Sequence, residues 1–188
     1  MDKEEIMSHN LFDRAMRETN VFNSIYFKID GRPVVKQSVR FGKGRVYQTR
    51  KIIEGEEMYR KQIDKYLPNN FNILTGPISM SVVFVMKRPK SDFGTGRNSN
   101  KLKKSARMYP TTRPDLSDNL MKALCDVMND FIIEDDKQII NVNSGEIYGE
   151  EYCIYVYLKE LKPGDQGVKM FWENFIDLAE RNLKLRGE

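Results

Sequence analysis

Apolar and polar positions alternate in "SIYFKIDG", so a strand is expected from Ser24, ended by Asp30 and Gly31. "RPVVKQSVRFGKGRVYQT" then gives two short extended pieces around a Gly42/Gly44 turn. Residues 51–67 place Ile52, Met58, Ile63 and Leu67 near one side of a helix. "PISMSVVFVMKR", residues 77–88, is rich in Val and Phe and reads as a strand. From about Asp118 to Asn129 the spacing of Leu120, Leu124, Val127 and Phe131 predicts a core-facing helix. Two strands are expected in "IINVNSGEIY" and "EYCIYVYLKEL". An amphipathic helix should follow over 166–186, with Phe171, Phe175 and Leu178 on one face, packed on the core or on a second copy. Residues 1–20 form a polar arm. The order β, β, α, β, loop, α, β, β, α predicts one α/β domain of the α+β type, 1–188, with a mixed sheet packed by helices.

Residues 88–114 break every periodicity. Up to Arg113 they hold eight basic side chains against Asp92 alone, a local balance of +7 where the whole chain is only +4. A structureless loop this long is usually functional or disordered. Its Arg88, Lys101, Lys103, Lys104 and Arg107 are candidate contacts to a polyanion, as are Lys36, Arg40 and Arg45, which are interleaved with Phe41 and Tyr47.

Composition narrows the chemistry. The hydrophobic share is 40% and the aromatic share 11%, which fits a folded core. His9 is the only histidine, so a His-activated serine or cysteine nucleophile is poorly supplied. Cys125 and Cys153 form no CxxC pair and are expected as reduced core or boundary thiols. No Walker A loop or dinucleotide fingerprint appears, so no nucleotide cofactor is expected. No 18-residue apolar run or leader pattern appears, so no membrane partner is expected and a cytoplasmic location is.

What remains is carboxylates. Asp115 and Asp118 lie near a predicted helix start, Lys122 and Asp126 follow at i+4 steps from Asp118, and Asp135 and Asp136 precede a strand. Two readings stay open. The aspartates could cap helices and form a solvated ladder. Alternatively Asp115, Asp118 and Asp135 or Asp136 could converge on Mg²⁺, with Lys122 on the phosphate and Asn119 fixing a carboxylate.

"RPDLSDNLMKALCDVMNDFIIEDDKQI" resembles the core motif of the RusA-type Holliday junction resolvases, [K/R]-x-D-x-D-N-x-x-K followed by a helix and D-D-x-Q-[I/V]. "IDGRPVVKQSVRFGKGRVYQT" resembles the family's N-terminal segment, and the likeness covers roughly 24–161. The resemblance implies a homodimeric endonuclease that cuts four-way and other branched DNA and uses Mg²⁺, with Mn²⁺ as a substitute. It assigns Asp118, Lys122 and Asp136 to catalysis, Asn119 to support, and Asp135 to the acidic pair. Asp115 matches the first aspartate across one extra residue, since this chain reads D-L-S-D-N where the family reads D-x-D-N. The rival expectation is a non-catalytic module for branched DNA with a structural acidic cluster.

Overall fold

The computed structural model describes residues 24–35, 40–42, 45–47, 50–111, 114–171, 173, 174 and 176, with backbone alone at 40–42, 45–47 and 118. The N-terminal arm, His9, Lys36, Arg113 and the end of the C-terminal helix lie outside the described residues.

Among the described residues there are six strands: β1 (Ser24–Asp30), β2 (Arg40–Gly42), β3 (Arg45–Tyr47), β4 (Ile78–Lys87), β5 (Ile139–Gly149) and β6 (Cys153–Glu160). β2 and β3 form a small hairpin, and the rest make a mixed sheet in the order β1-β6-β4-β5. β6 runs antiparallel to both β1 and β4, while β5 runs parallel to β4. This is the expected mixed-sheet α+β arrangement.

Alternation decides which face is dry. Ile25, Phe27 and Ile29, then Met80, Val82 and Phe84, then Ile154, Val156 and Leu158 point to one side and are buried. Two helices cover that side: α1 (Arg50–Ile63), and α2 (Lys122–Met128), which a π-helical turn at Leu116–Met121 leads into. Leu120, Leu124 and Val127 are buried as the spacing predicts, and Phe131 packs partly buried beside them. α1 stops at Ile63, with a 3₁₀ turn over Asp64–Tyr66, rather than running to residue 67. Its anchor is Tyr59, which the predicted stripe omitted: it is buried, and its Oη accepts the Val34 N–H at 2.6 Å. That bond offsets the cost of burying the hydroxyl.

The link from β5 to β6 has three residues, yet it must pass the end of β4, about 10 Å at two strand spacings. Gly149 permits this. A Cβ there would lie 2.5 Å from Val85 Cγ1. Cys125 and Cys153 are both free thiols. A third helix, α3, covers 167–171, 173, 174 and 176. Phe171 is 60% exposed, so its ring does not enter this chain's core. Among the described residues, no helix is long and apolar enough to cross a membrane.

Candidate active site

The extra residue between Asp115 and Asp118 sits in the π turn. Leu120 N–H reaches back five residues to the Asp115 carbonyl at 3.2 Å, sharing it with Asn119 N–H at 3.2 Å. A single inserted residue is what widens an α turn into a π turn, and such turns recur at functional sites. Asp115 stands at the turn's start in extended backbone and makes no side-chain cap. Its Oδ2 instead accepts from Asn119 Nδ2 at 3.3 Å. The carboxylate that Asn119 steadies is therefore that of Asp115. Lys122, the first residue of α2, is exposed.

Asp115 lines an open cleft of about 660 Å³ between the π turn and β5. One wall is Asp115, Leu116, Ser117 and Met121; the opposite wall is Val142, Ser144 and Glu146 of β5. Pro110 and Thr111 bring the end of the basic loop to its rim. Glu146 pairs in register with Phe84, so it points to the helix side of the sheet. Its Oε2 is out of contact with solvent and finds no hydrogen-bond donor among the described residues. Burial pushes the Glu146 carboxyl above its usual range, and the negative charge of Asp115 pushes it further.

The acidic pair divides by role. Asp135 caps the 3₁₀ turn Asp136–Gln138: its Oδ1 accepts Lys137 N–H at 2.9 Å and its Oδ2 accepts Lys137 Nζ at 3.2 Å. The backbone bond, then the ammonium bond, hold its carboxyl below the ordinary value. Asp136 is exposed and near α2, since burial first, then Asp136 and then Asp126 push the Cys125 thiol up to about 12. Among the described residues no three acidic, cysteine or histidine side chains gather closely enough to share one ion. The Asp118 carboxylate is outside that description.

The basic loop is built rather than structureless, which corrects the expectation from periodicity. It has 3₁₀ turns at Lys90–Asp92 and Gly96–Asn98 and a bridge between Phe93 and Leu102. Gly94 N–H donates to the Lys101 carbonyl at 2.9 Å, and Lys103 N–H to the Asp92 carbonyl at 2.8 Å. Arg88 latches it: Nη1 donates to Asp92 Oδ2 at 3.2 Å and to the Arg107 carbonyl at 2.7 Å, and the guanidinium lies 4.3 Å from the Tyr148 ring centre. Lys103 Nζ donates to the Ser91 carbonyl and Arg107 Nη1 to Thr111 Oγ1. Lys101 and Lys104 are exposed, with Met108 and Tyr109 nearby in sequence and also exposed. Arg40 and Arg45 occupy the two strands of the small hairpin, paired with Tyr47 and Gly42 respectively.

The sequence pattern of the RusA family, endodeoxyribonuclease RusA, matches residues 30–159, from the end of β1 to the end of β6. The chain belongs to that family of DNA-cutting nucleases, which are generally dependent on a divalent metal. It is also similar to the uncharacterized protein YqaN of Bacillus subtilis (strain 168), at 30% identity over 141 residues, covering 73% of this chain and 96% of the relative.

Glu146 escaped sequence reasoning. Its signal was parity: in "NVNSGEIYG" it shares a face with Val142 and Ser144, the side that the helix covers. The two carboxylates of the cleft, Asp115 and Glu146, offer the oxygen ligands that a hard divalent cation takes while keeping several waters.

Proposed function

We propose that this protein is a Mg²⁺-dependent endonuclease that resolves four-way junctions and other branched DNA by paired phosphodiester hydrolysis. The reading includes Mn²⁺ as a substitute, a homodimer, service in recombination and repair, and a phage or prophage source. The observation that carries it is the π turn. It absorbs the residue that separates this chain from the family's D-x-D-N spacing and leaves the Asp115 carboxylate out of any capping bond, tethered by Asn119, at the wall of an open cleft.

Asp115, Asp118 and Asp136 would hold the ion, and Asp135 would set the backbone from which Asp136 projects. When bound, the ion supplies charge neutralisation at the phosphate and a more acidic water. Lys122 contacts the phosphate and stabilises its developing charge. Lys101 and Lys104 bind backbone phosphates beyond the scissile one, with Lys36, Arg40, Arg45, Lys103 and Arg107 extending the surface. A two-fold dimer presents two sites to the two strands that must be cut.

The test compares a synthetic four-way junction with a linear duplex of the same sequence, with Mg²⁺ and with EDTA. Paired nicks in the junction alone, and only with Mg²⁺, are expected; equal cutting of both substrates would sink the reading. Asp118→Asn should abolish cutting and keep junction binding. Junction binding by a parent protein that never cuts would favour a non-catalytic module.

A further inference from the structure

We infer that Glu146 is a further ligand of the divalent-cation site, reaching it from the sheet while Asp115 reaches it from the helix. This rests on the nuclease reading above for the class of ion, and on two observations of its own.

The first is the state of the Glu146 carboxylate. Its Oε2 is shielded from water, and no described group donates to it. Buried polar oxygens nearly always have a partner, and an ionised one without any is especially costly. The hydroxyls of Ser144 and Ser117 line the same cleft, yet neither supplies the missing bond. The second observation is the neighbour. Asp115 lines the same cleft as Glu146 and adds a second negative charge rather than a compensating one. Two carboxylates facing one cleft repel unless a cation or a proton stands between them.

The substrate cannot be that partner. DNA presents phosphate oxygens, which repel Glu146 and Asp115 as they repel each other. A cation between carboxylates and phosphate resolves both conflicts, and a hard ion with oxygen ligands suits the donor set. Side chains on β5 and on the π turn would then be joined through one ion. Cation binding should therefore brace the turn against the sheet edge, and that effect is measurable without DNA.

The experiment titrates Mn²⁺ into the full-length protein, followed by electron paramagnetic resonance of free Mn²⁺, with thermal unfolding measured in parallel. Wild type, Glu146→Gln and Asp115→Asn are compared. Glu146→Gln should weaken Mn²⁺ binding by tenfold or more and remove most of the metal-dependent rise in Tm. Without metal it should melt no lower than wild type, because the change removes an unpaired charge and keeps the shape. Wild-type Mn²⁺ affinity in Glu146→Gln would overturn the inference. So would a metal-free Glu146→Gln protein that melts several degrees lower, which would reveal a partner for the carboxylate within the chain. Asp115→Asn should weaken the same binding event, and an unchanged value would equally overturn it. The two readings can fail separately. A wild type that binds Mn²⁺ through Glu146 but cuts no DNA defeats the nuclease alone. A protein that cuts junctions with Mg²⁺ while Glu146→Gln keeps its Mn²⁺ affinity defeats only this inference.

Discussion

The side-chain amide of Gln138 bonds three backbone groups: Nε2 donates to the carbonyls of Leu74 and Gly76 at 3.1 and 3.0 Å, and Oε1 accepts the Asp135 N–H at 3.0 Å. It thereby pins the turn bearing Asp136 to the segment entering β4. Gln138→Ala strands those groups at a part-buried position, a cost of about 2 kcal/mol. Tm should fall by roughly 4–8 °C for a chain of this size. Scanning calorimetry would show it, and an unchanged Tm would mean water replaces the amide at no cost. The same scale shows what residue type alone leaves open. Asp115 and Asp135 both precede short helical turns. Asp135 caps, through Lys137 N–H, whereas Asp115 does not, and no property of the letter D separates them. The difference lies in the backbone, with φ at −74° in Asp115 and −161° in Asp135, whose N–H is held by the Gln138 amide.

Elements were legible where periodicity was strong and illegible where side-chain bonds set the shape. Strand β4 was expected over 77–88 and is Ile78–Lys87, because a run of Val, Met and Phe has little else to do than pack. The 88–111 loop carries no period, and its order comes from single contacts such as the Arg88 latch to Asp92 and the Arg107 carbonyl. Arg88 and Asp92 are only 19% and 15% exposed at their side chains, so this guanidinium acts inward although composition groups it with the proposed phosphate contacts. The two roles can be separated by salt. Arg88→Ala should loosen the loop and weaken junction binding with little change in the slope of log K against log salt. Replacing Lys101 and Lys104 together by glutamine should flatten that slope by up to about 2, since each phosphate contact contributes near one unit. Fluorescence anisotropy from 50 to 300 mM salt reads both. A flattened slope in Arg88→Ala would make it a phosphate contact after all.

At the scale of the whole molecule, burial shapes the response to alkali. The Tyr59 hydroxyl and the Cys125 thiol are each pushed up to about 12, from ordinary values of 10.0 and 9.0, with burial the main cause in both. The unfolded chain loses these protons first, so stability is intact below about pH 9 and drains away as pH rises toward 12. Tm should hold steady to about pH 8.5 and then drop, and Cys125→Ala should make the early part of that drop shallower. An identical profile in Cys125→Ala would remove the thiol from the account. The sheet order is the feature that sequence could least supply. Each strand announces itself by alternation, but nothing local says that the last strand lies between the first and the second long one. That choice is made by side chains far apart in the chain: Val156 fits beside Phe27 on one neighbour and Val82 on the other. Its consequence reaches back to synthesis. Until residues 153–160 leave the ribosome, β1 has no partner in this sheet, and β4 with β5 is only half of one. The nascent chain must hold its first strand in reserve through more than a hundred residues, a long-range closure of the kind that slows folding. A nonsense or frameshift lesion before residue 153 would therefore leave an incomplete sheet for chaperones and proteases rather than a shortened nuclease.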